Sequence, residues 1–301
     1  MNDNRRALLG TLMALGAGVC WGTSGMFIRV LNAWGVSSFQ AAMFRGGMGF
    51  LVMLVIFLIR RTESLKVREA RDLLLLFLVG VGGLSLANLA YCMSVRENPL
   101  AVAVVLMYAA PIFSTIGAAV FFKERITLRK VIALACAFIG CVVMSGLLGG
   151  TSFRITALGL IAGILSALGY AIYIVGSRAA VQRNSTAVTT LYMTMFYALG
   201  TIPFALSDGP LPGKLAGVLP VCFLVLFGMV CTAVPYTLYA KALQRIEVGK
   251  ASVLAFSEPA TATLIGILIY HEAFTASTAV ALILILVSII IMNFGLKENE
   301  I

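Results

Sequence analysis

The sequence predicts an all-α integral membrane protein with ten transmembrane helices in two inverted five-helix repeats. Three observations predict it. The composition is too apolar for water, ten apolar segments carry a one-sided pattern of flanking charge, and residues recur at an offset of 148. Of 301 residues, 61% are hydrophobic and 11% charged, and the mean hydropathy is +1.03. A soluble domain carries about 25% charged residues, and one core of this length cannot hide so much apolar surface. That excludes a cytosolic enzyme, a nucleic-acid-binding domain and a secreted disulfide scaffold.

The elements follow in order. Arg5 and Arg6 precede an apolar run from about residue 7 to 30. The run is too long for the apolar region of a signal peptide, so it reads as a retained first helix. The ten segments fall at roughly 8–31, 37–59, 72–94, 100–122, 128–148, 156–177, 187–207, 215–240, 250–270 and 277–295. A spanning helix needs about 20 apolar residues. Cys20, Cys92, Cys136, Cys141, Cys222 and Cys231 all lie in these segments without CxxC spacing. They read as small buried side chains rather than disulfides or zinc ligands.

Charge sets the orientation. With the N-terminus inside, 17 Lys and Arg fall in inside segments and 4 in outside ones: Arg29, Arg96, Arg154 and Lys214. Positive charge stays on the cytoplasmic side, which places both termini in the cytoplasm. The same bias accounts for the net charge of +10 without nucleic acid.

The repeat is visible residue by residue. Gly80, Tyr91, Ala103, Pro111, Glu124 and Met144 match Gly228, Tyr239, Ala251, Pro259, Glu272 and Met292. Trp21 and Arg29 match Tyr170 and Arg178 at an offset of 149. The expected units are residues 1–150 and 151–301. Five spans per copy is an odd number, so the copies insert upside down. The basic loop holding Lys123, Arg125, Arg129 and Lys130 agrees, since its counterpart, residues 271–275, has no Lys or Arg. Inverted repeats meeting in mid-membrane belong to secondary transporters.

On these residues the chain resembles the drug/metabolite transporter superfamily, and its EamA-type members in particular. The motif residues are Trp21-Gly22, Arg45, Pro111 with Glu124, and Glu258-Pro259 with Glu272. The resemblance implies a bacterial inner-membrane carrier for small metabolites, often an exporter of amino acids or related compounds. It also implies a central cavity built mainly by helices 1, 3, 4, 6, 8 and 9. The second half departs from the first: no Arg matches Arg45, and Tyr170-Ala171 replaces Trp21-Gly22.

Glu258 stands about 12 Å into the ninth segment at 1.5 Å per residue, near the middle of a core about 30 Å thick. A charge there costs about 2.5–3.5 kcal/mol on insertion scales. Two readings stay open: a proton carrier or amine contact, or a polar group that helps satisfy the turn broken by Pro259. Proline lacks an N–H and collides with the carbonyl four residues back, here Ala255. Arg45 is either an anion contact and charge partner of Glu258 or a structural bond to helix carbonyls. The structural role is preferred, because the resemblance puts helix 2 outside the cavity. Pro111 and Pro259 lie mid-helix at matched positions, as moving hinges or as static kinks.

Polar faces recur at helical spacing: Trp21 and Ser24; Ser85, Asn88 and Cys92; Ser166, Tyr170, Tyr173 and Ser177; Thr232, Tyr236 and Tyr239. They are expected to turn away from lipid. Trp21, Ser24, Asn88, Tyr108, Tyr170, Tyr173, Tyr236 and Glu258 are the substrate candidates. Aromatic walls suit an aromatic substrate or a cation, and ordinary packing explains any single one. Gly18 and Gly22 form a small stripe for helix packing, within the chain or between copies. A lone His271 and the absence of a phosphate-binding loop leave no metal cluster, catalytic cluster or ATPase. No cofactor is implied.

The leading function is secondary transport by alternating access, with a small-molecule substrate and with or without protons. Its first form is export of amino acids or related compounds, from the resemblance. The alternatives are uptake of an amine or quaternary cation and flipping of a lipid-linked substrate. Monomer and homodimer both stay open.

Overall fold

The computed structural model describes residues 3–60, 66–67, 69–147 and 155–294. Arg61, Arg68, Arg154 and Lys297 of the charge pattern lie outside these residues, as does the expected 150/151 boundary between repeats. Short polar breaks divide the chain into ten rods: α1 (Asn4–Ala33), α2 (Ser38–Ile59), α3 (Ala70–Glu97), α4 (Leu100–Phe122), α5 (Leu128–Met144), α6 (Ala157–Arg183), α7 (Thr186–Ser207), α8 (Val218–Leu243), α9 (Val248–Tyr270) and α10 (Ala276–Asn293). Among the described residues, nine are long and apolar enough to cross a membrane. The tenth, α5, has 17 residues, about 26 Å at 1.5 Å per residue. It ends at Met144, short of the expected 148.

The rods start where the sequence offers a cap. Thr127, Thr156 and Ser185 each accept a bond from the backbone N–H three residues on, opening α5, α6 and α7. Such caps satisfy donors that the first turn leaves free. The intervening loops are short, so neighbouring rods run antiparallel. Packing then crosses between halves: α1 lies on α8, α3 on α6, α2 on α7 and α5 on α10. Outward faces carry exposed Ile59, Val120, Phe121, Leu268 and Ile283, as lipid-facing surfaces do.

Each half repeats the other's irregularities. Leu78–Ser85 of α3 and Met229–Ala233 of α8 are π-helical and end at matched residues. α4 breaks between Met107 and Ala110, and α9 between Leu254 and Ser257. Lys123 and His271 are the positive-φ residues other than glycine among the described residues, at +57° and +54°. The N–H groups of Glu124 and Glu272 then reach back to Ala118 and Gly266, at 3.3 and 3.0 Å. An L-residue held at positive φ is uncommon. Finding it twice, 148 residues apart, ties the two copies to one backbone plan.

The structure corrects the expectation that Pro111 and Pro259 sit mid-helix. Each lies in the first turn of a new helical piece, Ala110–Phe122 or Ser257–Tyr270. A first turn has no use for the missing N–H, so the helix stops and restarts instead of bending. α1 also breaks, at Thr23, into Asp3–Gly22 and Ser24–Ala33. The Gly18 and Gly22 stripe packs within the chain. A Cβ on Gly22 would lie 2.6 Å from the Glu258 carbonyl oxygen, and one on Gly18 would strike Ser257. Span α1 therefore rests directly on the restart of α9.

Candidate functional site

The two helix restarts face a pocket near the middle of the rods. Its wall holds Trp21, Arg45, Tyr108, Pro111, Tyr170, Tyr173, Tyr236 and Glu258. The space open to the centre of a water-sized group is about 70 Å³, against about 10–15 Å³ for one water. Several waters or a compact polar group fit.

Glu258 sits in the first turn of the restarted helix, where its N–H bonds the Ala255 carbonyl at 2.9 Å. Its carboxylate is partly exposed to the pocket and makes no hydrogen bond or ion pair among the described residues. A helix start favours negative charge, which offsets part of the cost of carrying it at this depth.

Arg45 overturns the expectation that helix 2 stands outside the cavity. It lines the pocket while Nε and Nη2 donate to the Cys231 carbonyl at 3.4 and 3.3 Å. Thr232 Oγ1 returns a bond to the Arg45 carbonyl at 2.9 Å. The π segment of α8 supplies that acceptor, because widening the helix frees carbonyls from the i→i−4 ladder. Arg45 thus makes the structural bond to a helix carbonyl that its sequence position allowed, and it does so from the pocket wall. It forms no ion pair with Glu258.

The aromatic residues form one cluster. Trp21 lies 5.5 Å from Tyr236 and 5.3 Å from Tyr239, and Tyr173 lies 5.3 Å from Tyr236, centroid to centroid. These separations are ordinary for packed rings. The polar tips are not ordinary. Trp21 Nε1 and Tyr236 Oη are buried without a hydrogen-bond partner among the described residues. Tyr239 Oη, in the same wall, is unpaired among them as well, and a buried donor left unpaired costs about 1–3 kcal/mol.

Three candidates fall outside the wall. Asn88 turns back on its own helix and donates to the Leu84 carbonyl at 2.9 Å. The π segment ending at Ser85 turns later residues away from the simple 3.6-residue face. The π segment of α8, Met229–Ala233, likewise separates Thr232, which serves Arg45, from Tyr236 and Tyr239. Ser24 opens a new helix after the break at Thr23, so it no longer shares a face with Trp21. Pro259 is buried and does not line the pocket. Of the helices implied to build the cavity, α3 contributes no lining residue and α2 takes its place. Sequence reasoning also missed Phe256, whose position matches Tyr108; their rings stand 5.9 Å apart at the two breaks. The offset of 148 was the signal that could have found it.

A ten-rod inverted repeat around a central, mainly aromatic pocket that holds Arg45 and Glu258 defines the class: a multi-pass membrane transporter. The model of the EamA-like transporter family matches residues 8–146 and again 157–294. The chain belongs to the EamA-like transporter family. An uncharacterized inner membrane transporter of Salmonella typhimurium, YicL, is 25% identical over 99% of both chains. An uncharacterized transporter of Archaeoglobus fulgidus is 28% identical over 67% of this chain and 70% of its own. A solved crystal structure shares the fold at a TM-score of 0.82 and 21% identity, covering 94% of this chain and 96% of that one.

Proposed function

We propose that the protein is an alternating-access carrier that exports amino acids or related zwitterionic metabolites across the bacterial inner membrane. Both termini are cytoplasmic, and residues 1–150 and 151–301 serve as the two units. The observation that carries the substrate class is that Arg45 and Glu258 line one pocket without pairing with each other. A guanidinium suits a carboxylate, and an unpaired carboxylate suits an ammonium group. Trp21 Nε1 and Tyr236 Oη offer further polar contacts, and the aromatic wall receives an apolar side chain.

A quaternary cation fits the aromatic wall, but the Arg45 charge in the same pocket opposes it. The pocket's small free space disfavours a lipid-linked substrate. Export is the direction the family resemblance suggests, and Glu258 is the group we assign to proton coupling. Pro111 and Pro259 mark the hinges. The reading includes no catalytic step.

Counterflow tests this in liposomes loaded with unlabelled amino acids, with a trace of radiolabelled ones outside. Saturable uptake that individual amino acids compete for supports the carrier. Uptake that never saturates points to a channel, and competition by choline but not by amino acids points to the cation reading.

A further inference from the structure

The two ends of the molecule are built alike and bonded differently. At the end that carries the N-terminus, Glu124 closes the junction of α4 with α9. Its carboxylate accepts from the backbone N–H of Val248 at 2.8 Å and of Gly249 at 3.2 Å. Ser114 and Ser252 hydroxyls meet there at 2.9 Å, and Gln244, just past α8, donates to the Val181 carbonyl of α6. Buried Lys130 bonds Glu247 at 2.7 Å and lies 3.9 Å from Glu124.

At the opposite end the matching residues are Glu272 for Glu124, and Leu100 and Ala101 for Val248 and Gly249. There Glu272 pairs with Arg29 instead, and the Arg29 guanidinium lies 4.0 Å above the Tyr270 ring. The Leu100 and Ala101 N–H groups have no acceptor among the described residues. Among the described residues, no side-chain hydrogen bond or ion pair at that end joins α3, α4 or α6 to α1, α8 or α9. Arg29 matches Arg178. Arg178 stands at the closed end, makes no ion pair, and its Nε is buried without a partner.

Each glutamate thus holds one of two kinds of partner, and the other kind stands unused at the same end: Arg178 beside the end of Glu124, the Leu100 and Ala101 amides at the end of Glu272. We infer that Glu124 and Glu272 are the two gate residues of the transport cycle and exchange these partners in opposite phase. When Glu124 caps Val248 and Gly249, that end is shut and Glu272 is held by Arg29. When the cycle turns over, Glu272 caps Leu100 and Ala101, and Glu124 passes to Arg178. The idle arginine in the present state is the second half of the switch. This rests on the alternating-access reading and adds the residues that latch each state.

The ends differ in one respect. The residue matching Lys130 is Thr278, so only the N-terminal end has a buried cation behind its glutamate. Its closure is the firmer of the two.

The test measures spin-label distances by pulsed EPR in liposomes, on a cysteine-free full chain. One label pair, Leu100→Cys with Phe274→Cys, reports the open end. The other, Ile126→Cys with Lys241→Cys, reports the end that carries the N-terminus. Glu124→Ala and Arg29→Gln are expected to favour opening at the N-terminal end. Glu272→Ala and Arg178→Gln are expected to favour opening at the other.

The population ratio should move severalfold for each glutamate, because the cap lost from one state outweighs the more exposed arginine pair lost from the other. It should move severalfold for Arg29→Gln, whose pair is half exposed. Glu124→Gln and Glu272→Gln, which keep an acceptor oxygen, should shift the same way by less. Variants are compared only where thermal unfolding matches the parent; if the alanine forms fail this, the glutamine forms decide. Shifts of one sign in all variants, or none, overturn the gate assignment. The amino-acid counterflow of the parent stands apart: if it is absent while the distances still shift as stated, the substrate reading fails and the latch survives.

Discussion

Tyr108 and Phe256 occupy matching places in the two repeats, and their rings meet at 5.9 Å with a 40° tilt, each at the break of its own helix. The breaks of α4 and α9 are thereby in contact with one another beside the pocket. A double-mutant cycle on thermal stability in detergent, with Tyr108→Leu and Phe256→Leu, is expected to give a coupling of about 0.5–1.5 kcal/mol. Additive losses would mean the rings are neighbours without interaction.

Glu258→Gln separates binding from coupling. If the carboxylate carries the proton, the variant keeps counterflow but loses accumulation driven by a pH gradient. If the carboxylate only holds an ammonium group, affinity for amino acids falls about tenfold or more and the pH profile keeps its shape. Full activity with an unchanged pH profile would leave Glu258 a structural group.

Arg45→Lys keeps a positive charge but not the planar fork that reaches both the Cys231 carbonyl and the pocket. Substrate affinity should drop about tenfold while the fold survives, because lysine cannot make two-pronged contact with a carboxylate. Isothermal titration with the best amino-acid competitor checks this.

Gly22→Ala and Gly25→Ala form a matched pair. A Cβ at 22 lands 2.6 Å from the Glu258 carbonyl oxygen and from Thr261 Cβ, whereas one at 25 meets nothing within 4 Å. The first should lose about 1–3 kcal/mol by overpacking and lower transport. The second should leave both unchanged. Thermal melting and counterflow read the difference.

Arg96 and Asp208 join the loop ends of α3 and α7 at 2.6 Å. For Asp208, slight desolvation raises its pKa, but hydrogen bonds from Ser37 and Arg96 outweigh it and hold the carboxyl below its ordinary value of 3.8. A lowered folded-state pKa means the contact stabilises above the ordinary value and is lost as pH falls through the lowered one. Because Arg96 is 41% exposed, solvent screening keeps the gain below about 1 kcal/mol. Melting should therefore fall slightly more between pH 5 and 3 in the parent than in Asp208→Asn, on the order of that energy.

The fold was legible because its signals are local and additive. Twenty apolar residues between charges specify a membrane helix wherever they occur, and an offset of 148 is a property of the string of letters. Trp21, Tyr108, Tyr170, Tyr173, Tyr236 and Glu258 line the pocket; Trp21, Tyr170 and Tyr173 lie in unbroken stretches of helix, whereas Tyr108 and Glu258 stand at the matched breaks. Asn88, Ser24 and Thr232 do not line it, because π segments and helix breaks change the phase of a face and leave little trace in the residue pattern.

The sequence by itself determined that the chain lives in a bilayer, spans it ten times and carries two related halves. Tertiary structure alone decided three things. Arg45 enters the cavity because the widened turn of α8 offers it a carbonyl. Pro111 and Pro259 start helices, since a first turn needs no N–H from them. And Glu124 and Glu272, alike in the sequence, hold different partners, because packing brings the amides of Val248 and Gly249 to the first and the Arg29 guanidinium to the second.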